Sequence, residues 1–512
     1  MGTFGSHDLT VMAGFENYYM KDEELTAARD KYELTGYPYL NIGSEDFQTN
    51  SGKGSEYTSN SVFGRVIYSY ADRYLFQANI RHDGSSRFAK GYRWGTFPSF
   101  SAGWVMSEEK FMKSLNWDWL SFLKLRGSWG ILGNERIGDD YFPYIALMSF
   151  GNSLFYMADG SVVSDKTARP AILAVEDITW ETTTSTDFGL DANFFNNRLQ
   201  FHFDYYWKQT KDMLLKIEIP YFMGYNNPNT NAGKMSTHGY DIELAWNDRI
   251  GDLQYGVNVN FSDFLSKIDY MNDGEQISNG KIKRAGVLFN EYYGYVCDGI
   301  YQTQEEVNNS ARTSTTVTVG DLKYRDISGP DGVPDGIISP EYDRVPLGNS
   351  LPRFQYGGTF NASYKGIDFS IAFQGIGKQN SYLSTAMVQP LRDNYGSVPS
   401  IIEGKYWSPF NTAEENLSAR YPRLSNVSKS NNYATSNFWM FNGSYFRLKN
   451  LTLGYTLPET WTQKAGIDRV RFYISGSDLF CLSNFPDGWD PEMGASSYPI
   501  TTSLVMGLQV NF

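Results

Sequence analysis

Apolar and polar residues alternate with a period of two along much of this chain, and this alternation limits the fold more than any other feature. The segment LQFHFDYYWK at 199–208 places apolar or aromatic residues at its odd positions and mostly polar residues at its even positions. Successive side chains of a β-strand point to opposite faces, so each such segment predicts a strand with one apolar and one polar face. Segments of about eight to ten residues are long enough for tilted strands to cross a lipid bilayer.

Segments of this kind predict about fourteen strands in antiparallel order. They lie at Leu9–Phe15, Val62–Tyr70, Tyr74–Arg81, Phe97–Trp104, Phe122–Trp129, Asp187–Phe194, Leu199–Lys208, Tyr240–Trp246, Tyr255–Phe261, Phe354–Tyr364, Phe369–Phe373, Leu448–Leu457, Val470–Ile474 and Leu504–Phe512. One of them is irregular, because Phe446 and Leu448 are out of phase with Leu451. We therefore expect a β-bulge or a strand end near Lys449 and Asn450.

The composition separates a transmembrane barrel from a helical membrane protein. Mean hydropathy is −0.43, and the 512 residues contain no uninterrupted apolar run of the length that a transmembrane helix needs. The strands of a transmembrane barrel alternate lipid-facing and lumen-facing residues, which keeps the mean hydropathy low. A soluble β-sandwich alternates in the same way, so the lengths of the connections must distinguish these two folds.

Short and long connections alternate between the predicted strands. The short ones are Ala71–Arg73, Asn196–Arg198, Asn247–Asp252 and Lys365–Ile367, with longer turns at Ser107–Trp119 and Pro458–Asp468. The long ones are Met20–Ser59, Ile131–Thr182, Ser266–Arg353 and Gly375–Ser444. Short periplasmic turns and long extracellular loops are typical of outer-membrane barrels. We therefore predict an all-β, antiparallel transmembrane β-barrel, surrounded by the lipid of the bacterial outer membrane.

The carboxyl-terminal strand fits this orientation. With the short turns in the periplasm, the last strand descends and the chain ends at the periplasmic rim. The outward-facing residues of this strand are Leu504, Met506, Leu508, Val510 and Phe512. Alternating apolar residues that end in an aromatic residue resemble the signal by which the outer-membrane assembly machinery recognises its clients. We predict that role for these five residues.

The charges exclude one class of partner and agree with the topology. The formal net charge is −13, so no excess of cations is available to neutralise the phosphates of a nucleic acid. Several charged side chains fall on the polar faces of the predicted strands, where they would line a wet lumen or contact a plug. They are Arg65, Arg81, Lys124, Arg126, Asp187, Asp191, Asp204, Asp241 and Glu243.

Cys297 and Cys481 fall in loops on the same side, which leaves open whether they form a disulfide.

Several short motifs follow one another along the chain. They are YSYADRY at 68–74, RHDGSSRF at 81–88, WETT at 180–183, DYY at 204–206, TKD at 210–212, GDLKYRD at 320–326, YFRLKN at 445–450 and LGY at 453–455. In their order and spacing the chain resembles the SusC/RagA family of TonB-dependent outer-membrane transporters, known from Bacteroidetes. The resemblance covers nearly the whole chain. It implies active import of oligosaccharides or oligopeptides through a barrel of roughly twenty-two strands that surrounds a plug domain. It also implies energy supply by the TonB complex of the inner membrane, and a SusD-like surface lipoprotein as partner.

The sequence departs from this family pattern at its amino terminus. A TonB box, a plug domain and about eight barrel strands are missing, and Met1–Thr10 lacks the features of a signal peptide. We expect residues 1–512 to form the carboxyl-terminal part of a TonB-dependent receptor-like barrel, as a fragment, a truncated product or half of a split transporter. Contacts with the plug and the TonB complex would then depend on the missing part. The alternative is a self-contained barrel, acting as a passive pore or as a non-transporting surface barrel that binds partners through its loops.

Aromatic residues in the long loops are the candidate substrate contacts. They form three groups, which are Tyr141, Phe142 and Tyr144, then Tyr221, Phe222 and Tyr225, and then Tyr292, Tyr293 and Tyr295. The C–H faces of sugar rings pack on aromatic rings, so these residues suit a glycan. The alternative for all three groups is packing of the loops against one another or contact with the lipoprotein. Aromatic residues near strand ends, such as Trp104, Trp129 and Trp246, are explained by the interfacial girdles of a barrel.

An acidic segment at 326–337, DISGPDGVPDGI, loosely resembles calcium-binding loops. Asp326, Asp331 and Asp335 are the candidate ligands of a structural Ca²⁺ in an extracellular loop, and no other cofactor is expected. Prolines interrupt the EF-hand spacing and the closing glutamate is absent, so an ordinary turn is the alternative. The four histidines show no metal-ligand spacing, and nucleophile-elbow, phosphate-loop and dinucleotide motifs are missing. We therefore predict that the chain is not an enzyme.

Overall fold

The computed structural model describes residues 2–37, 39–138, 140–272, 274–385, 388–392, 398–494 and 497–512. Within these ranges most of the regular structure is β-strand, and the helices are short. None of the described helices combines the length and the apolar character that crossing a membrane requires.

The strands differ widely in length. The first twelve are β1 (Gly2–Phe4), β2 (His7–Arg29), β3 (Gln48–Tyr70), β4 (Tyr74–Ser85), β5 (Trp94–Val105), β6 (Leu120–Asn134), β7 (Met148–Tyr156), β8 (Val162–Pro170), β9 (Glu181–Phe194), β10 (Leu199–Lys216), β11 (Asn229–Ile250) and β12 (Leu253–Met271). They are followed by β13 (Glu275–Ser278), β14 (Lys281–Arg284), β15 (Glu291–Tyr295), β16 (Cys297–Ile300), β17 (Leu322–Tyr324), β18 (Arg344–Asn349), β19 (Arg353–Tyr364), β20 (Ile367–Lys378), β21 (Asn380–Tyr382), β22 (Met440–Asn442), β23 (Tyr445–Thr456), β24 (Arg469–Ser483) and β25 (Ser503–Asn511). The α-helices are α1 (Lys110–Ser114), α2 (Gln304–Asn309), α3 (Ala413–Ser418), α4 (Lys429–Asn432) and α5 (Glu459–Thr462). Short 3-10 helices lie at Leu40–Ile42, Glu45–Phe47, Met106–Glu108, Tyr221–Met223, Ser400–Ile402, Asn437–Trp439 and Gln463–Ala465.

One large antiparallel sheet contains the long strands. Its order is β1-β2-β3-β4-β5-β6-β9-β10-β11-β12-β19-β20-β23-β24-β25. Apart from the three-residue β1, each of these strands has nine or more residues, which confirms the prediction of about fourteen strands in antiparallel order. Tight turns join many neighbours. Between β3 and β4, for example, Ala71 and Asp72 have φ of 52° and 54°, the backbone geometry of a hairpin turn that suits the twist of the strands.

The irregularity predicted near Lys449 is a β-bulge in β23. In the pairing of β23 with β20, Asn450 faces Ala372 and Leu448 faces Phe373, so Lys449 is skipped. The register with β24 also shifts between Leu448 and Asn450. The displaced Lys449 side chain forms an ion pair with Asp478, with Nζ 2.6 Å from Oδ1.

The long connections contain more β-structure than the alternation predicts. The predicted loop Met20–Ser59 is largely a ribbon, because β2 and β3 pair along their whole length to Arg29 and Gln48. The neighbouring β4 pairs with β3 only from Ser59 onward. Residues 21–28 and 48–55 are exposed apart from Ser55, which is partly buried. Because both faces of these strand segments contact solvent, neither face has to be apolar, and no alternation marks them in the sequence. The other long connections likewise contain β7 and β8, β13 to β18, and β21 and β22.

The chain divides into two compact units. The first comprises Met1–Trp104, Arg126–Asp187 and Lys208–Met235, and the second comprises Val105–Leu125, Phe188–Trp207 and Ser236–Phe512. The core of the first unit consists of Phe88, Ile137, Ile178 and Trp180. The second unit has its main core among the long connections, with a smaller cluster of Tyr301, Val307 and Val317.

Candidate functional site

Three long connections of the second unit pack around one hydrophobic core. It contains Tyr295, Leu322, Tyr324, Ile338, Leu383, Val388, Trp439 and Phe485. These residues come from the connections that follow β12, β20 and β24. Trp439 is 1% exposed, and its Nε1 donates a hydrogen bond to the Asn432 carbonyl at 2.7 Å. The described parts of residues 272–352, 379–444 and 484–502 therefore form one folded body, which we call the loop module.

A buried carboxylate joins two of these connections. Asp321 has no exposed surface, and its carboxylate accepts hydrogen bonds from Arg423 Nε at 2.7 Å and Ser428 Oγ at 2.8 Å. Asn432 Nδ2 donates at 3.0 Å and the backbone N–H of Thr318 at 2.9 Å. A buried charge is tolerated when it is paired and its oxygens are hydrogen-bonded. The GDLKYRD motif, to which Asp321 belongs, thus has a structural role in the loop module.

The loop module buries one of the three predicted aromatic groups. Tyr292, Tyr293 and Tyr295 lie in β15 and are 8%, 8% and 7% exposed. The ring of Tyr295 stacks on that of Tyr324, with centroids 5.0 Å apart. Burial raises the pKa of both Tyr292 and Tyr295. At these three positions the structure supports packing of the loops and not the predicted substrate contact, because the rings offer little accessible surface.

In the first unit, Tyr141 lies against an arginine of the RHDGSSRF motif. The Arg87 guanidinium lies 4.4 Å from the ring centroid of Tyr141 and 5.4 Å from that of Tyr57. Arg87 Nη1 also donates to the carbonyl of Asp140 at 2.9 Å. The Tyr57 hydroxyl donates to the Glu135 carboxylate, and burial together with this hydrogen bond raises the pKa of Tyr57 to about 12. The cation–π contact with Arg87 and the hydrogen bond from Arg87 to the preceding carbonyl thus hold Tyr141 in place.

The other aromatic residues predicted in the first unit differ in exposure. Phe142, Tyr144 and Tyr225 are partly buried. Phe222 is 89% exposed. The side chain of Tyr221 lies outside the described part of the structure. Phe222 is therefore the most accessible of the predicted substrate contacts whose side chains are described.

The two connections that carry these aromatic residues are joined by hydrogen bonds within the first unit. The backbone N–H of Asn226 donates to the Ala171 carbonyl at 2.8 Å. Arg169 Nη1 donates to the Gly224 carbonyl at 2.7 Å. The structure thus brings the Tyr141 and Tyr225 groups to neighbouring connections. A β-hairpin of β7 and β8 projects from the first of them, with Phe150, Leu154 and Tyr156 exposed by 80%, 68% and 83%.

The acidic segment at 326–337 does not gather its carboxylates into a ligand set. Asp326 Oδ2 accepts from the backbone N–H of Gly336 at 2.6 Å, and Asp335 Oδ1 accepts from that of Ile337 at 2.9 Å. Asp331 is exposed. Over the described residues, no three or more histidine, cysteine, aspartate or glutamate side chains are grouped so that they could hold a metal ion. Calcium at Asp326, Asp331 and Asp335 stays a prediction without geometric support.

Charges on the polar face of the sheet form ion pairs. In the second unit, Lys124 Nζ lies 3.5 Å from Asp191 Oδ2, and in the first unit Arg126 Nη1 lies 3.7 Å from Asp187 Oδ1. All four residues were assigned to the polar face from the alternation. Asp191 also lies 3.0 Å from His202 Nδ1. Their pairing fits a polar interior surface in a membrane barrel.

Two further ion pairs of the second unit were not predicted from the sequence. Arg471 Nη2 lies 2.5 Å from Asp368 Oδ2. Arg447 Nη2 lies 2.7 Å from both carboxylate oxygens of Asp490. Asp368 and Arg471 occupy polar positions of strands β20 and β24, so the alternation could have indicated that both face the polar side of the sheet. Asp490 lies in an irregular connection, so its pairing with the arginine of the YFRLKN motif had no local signal.

A cavity of about 270 Å³ with a mixed charged and apolar lining was also not predicted. It lies in the second unit, and its lining includes Glu291, Arg353 and Lys378 together with Leu288 and Leu347. Glu291 is 9% exposed, and burial raises the pKa of its carboxyl group. The residues that line the cavity are far apart in sequence, so no sequence motif predicted the cavity.

The two cysteines are free thiols, which settles the pairing that the sequence left open. Cys297 belongs to β16 of the loop module, and burial raises the pKa of its thiol to about 11.

The predicted assembly signal lies in and just after β25, which pairs with β24. Its outward residues Leu504, Met506 and Phe512 are 66%, 72% and 88% exposed. Their recognition by an assembly machinery stays a prediction.

Comparison with known proteins identifies the family. The model of the family described as "TonB dependent receptor-like, beta-barrel" matches residues 2–475. The chain belongs to this family. Its β-barrel proteins lie in the bacterial outer membrane, and the long antiparallel sheet of this chain is accordingly the wall of an outer-membrane barrel.

Relatives of this TonB-dependent receptor family support the SusC/RagA resemblance. TonB-dependent receptor P3 of Formosa agariphila is 30% identical over 548 residues, covering 100% of this chain and 51% of the relative. TonB-dependent receptor SusC of Bacteroides thetaiotaomicron is 29% identical over 528 residues, covering 100% of this chain and 49% of the relative. The structure of the RagAB peptide transporter has the same fold, with a TM-score of 0.81 at 23% identity, covering 100% of this chain and 54% of that one. This chain thus spans about half the length of the relatives it matches.

Proposed function

We propose that this chain forms barrel wall and extracellular loops of a TonB-dependent importer of oligosaccharides or oligopeptides in the outer membrane. The observation that carries the proposal is the match of the family model to residues 2–475. The RagAB structure, which has the same fold, is called a peptide transporter, and the resemblance to the SusC/RagA family implies import of oligosaccharides or oligopeptides. Both classes therefore belong to the proposal.

The accessible aromatic surface of the first unit is the proposed place of substrate contact. Phe222 is almost fully exposed, and the connection that carries it is hydrogen-bonded to the one that carries Tyr141. Aromatic rings suit both substrate classes, since they pack on sugar faces and on apolar peptide side chains. The buried tyrosines of the loop module act instead as the core that holds the loops in shape.

The proposed partners follow from the family. A SusD-like surface lipoprotein would contact the extracellular loops, and a plug domain and the TonB complex would act with the complete transporter. The exposed β7–β8 hairpin supports a partner on the loop side, because an isolated two-stranded ribbon with apolar side chains in water is only marginally stable by itself.

A genetic experiment tests the proposal. The gene and a neighbouring lipoprotein gene are deleted singly and together, and growth is followed on a panel of oligosaccharides and oligopeptides as sole nutrients. The proposal predicts that at least one oligomer no longer supports growth in either single deletion, while its monomers still do. Normal growth of all strains on every oligomer would contradict it. Steady conductance of the purified protein in a planar bilayer would favour a passive pore instead.

A further inference from the structure

The cavity of about 270 Å³ in the second unit has the dimensions of a small ligand pocket. Its lining comes from β15 and β18 of the loop module and from β12, β19 and β20 of the long sheet. Its volume is close to the lower end of the range for ligand pockets, about 300 Å³. The cavity therefore suits one end of an oligomer, and the chemistry of its lining determines which end can bind there.

A buried carboxylate, that of Glu291, lines this cavity. Glu291 is 9% exposed, and over the described residues no cation forms an ion pair with it. It accepts hydrogen bonds from the Asn349 side chain and the Gly348 backbone, and Lys378 attracts it through space. Lys378 is exposed, so water screens its charge. Burial outweighs these effects and raises the pKa of Glu291, so the protein by itself does not fully compensate this carboxylate.

Neighbouring groups hold Glu291 in a fixed position. Within the small sheet of the loop module it pairs with Ile282 of β14 and with Asn349 of β18. Asn349 Nδ2 donates to the Phe289 carbonyl at 2.8 Å, and Asn349 Oδ1 accepts from the backbone N–H of Leu351 at 2.7 Å. A site whose polar groups are already ordered loses little conformational freedom when a ligand binds. The carboxylate is therefore prepared to receive a counter-charge from the cavity.

The rest of the lining is paired, amide-bearing or apolar. The Arg353 guanidinium pairs with the Asp263 carboxylate through both Nε and Nη2, so it is not available as a counter-ion for Glu291. The amide side chains are those of Asn349, Gln379 and Asn380, and the apolar side chains are those of Phe264, Leu265, Leu288, Leu347 and Leu351. A complementary ligand combines one positive charge with an apolar body and with groups that hydrogen-bond to amides.

We propose that this cavity binds an ammonium group of an oligopeptide, from its amino terminus or a lysine side chain, with Glu291 as the counter-ion. The inference rests on the proposed function and selects the peptide class from it. An ammonium group has three donors, and its hydrogen bonds to a carboxylate are about twice as strong as those between neutral groups. It supplies the positive charge that Glu291 lacks, while the adjoining apolar atoms of the peptide pack on the leucine side chains.

A neutral sugar fits this cavity less well than a peptide does. It carries no charge that could compensate Glu291. Its hydroxyl groups would lose their water against leucine side chains, which costs free energy unless each hydroxyl finds a new hydrogen-bond partner. Sugar faces pack well on aromatic rings, but among the described lining residues only Phe264 is aromatic. The lining thus favours the peptide class at this subsite.

Retention of defined peptide mixtures by the purified protein tests this subsite. The protein is extracted from the outer membrane in detergent, together with the polypeptides that accompany it, and is immobilised. Random tetrapeptides are offered with free amino termini but without lysine or arginine, then N-acetylated with lysine, and then N-acetylated without either residue. Mass spectrometry measures the bound peptides. The proposal predicts that the first or the second mixture is retained at least about tenfold more than the third, and which of the two is retained identifies the source of the ammonium group.

Glu291→Gln removes the charge and keeps the shape of the side chain. It should lower the retention of the favoured mixture to that of the mixture without ammonium groups. Glu305→Gln is the matched control, because Glu305 is an exposed acidic residue of the loop module, and it should bind like the unmodified protein. Heat-modifiable migration on gels verifies that each variant is folded.

Two results would overturn the subsite. One is equal retention of all three mixtures by the unmodified protein, a comparison that depends on no variant. The other is undiminished retention by folded Glu291→Gln protein. Binding to the purified protein needs neither TonB nor transport, so either result leaves import by this chain untouched. Conversely, normal growth of the deletion strains on every oligomer would contradict the proposed function without changing the retention of peptides.

Discussion

Arg423 reaches across the loop module and pairs with the fully buried carboxylate of Asp321, with Nε 2.7 Å from Oδ1. Replacing Asp321 by alanine would leave this guanidinium without its counter-charge and three further donors, from Thr318, Ser428 and Asn432, without their acceptor. We expect the Asp321→Ala variant to lose about 3–5 kcal/mol of stability in the loop module. The rate of tryptic cleavage within the module measures this loss. Asp331→Ala is the control, since Asp331 is an exposed acidic residue of the same module, and equal protease resistance of the two variants would refute the assignment.

Arg87 should not tolerate replacement by lysine. Its planar guanidinium contacts the rings of both Tyr57 and Tyr141 and donates to a backbone carbonyl, a combination that an ammonium group reproduces poorly. We expect Arg87→Lys to destabilise the connection after β6 by about 1–2 kcal/mol. Hydrogen exchange of residues 135–147 measures the change. Arg136→Lys is the control, because Arg136 is exposed in the same connection, and it should leave the exchange rates unaltered. If Arg87→Lys also leaves them unaltered, the contacts of Arg87 with the two rings do not stabilise this connection.

The Cys297 thiol should react slowly with thiol reagents at neutral pH. Burial raises its pKa from 9.0 to about 11, and only the thiolate is nucleophilic. The folded protein keeps a proton that the unfolded chain releases, so this contribution to stability is complete below pH 9 and is lost as the pH rises through 11. Alkylation rates of the Cys481→Ser variant between pH 7 and pH 11 test this. Rates that level off near pH 9 would mean that the thiol is not buried as described.

Removal of calcium should leave the loop module unchanged. The carboxylates of Asp326 and Asp335 already accept backbone hydrogen bonds, and Asp331 is exposed to solvent. We expect the same Tm in excess EDTA and in millimolar Ca²⁺. A rise of Tm with Ca²⁺ that disappears in Asp331→Ala would establish the calcium site that the sequence pattern suggests.

The strands were predictable because their signal is local. Each strand of the barrel wall alternates lipid-facing and lumen-facing residues in its own sequence. Even the bulge at Lys449 is visible in the sequence, as a shift in the phase of this alternation. The ribbon formed by β2 and β3 beyond Ser59 lacks this signal. Both of its faces are exposed, so polar residues occupy both, and the sequence predicts a loop where the structure has paired strands.

The loop module was not predictable from local pattern. Asp321 and Arg423 are 102 positions apart, and Asn432 is 111 positions from Asp321. Aromatic residues in a long loop suit both a substrate surface and a buried core, and their composition alone does not distinguish the two. The structure assigns Tyr295 to the core through its stacking on Tyr324, whereas Phe222 stays on the surface. Long-range pairing thus decides which predicted site residues remain candidates.

Energy-dependent uptake tests the central claim most directly. Initial rates of uptake of a fluorescent oligosaccharide and a fluorescent oligopeptide are measured in cells that lack the gene and in cells complemented with it, with and without functional TonB. Import through this barrel predicts that at least one oligomer enters only when both the gene and TonB are present. Uptake of both oligomers at the same rate in all four strains would contradict the account.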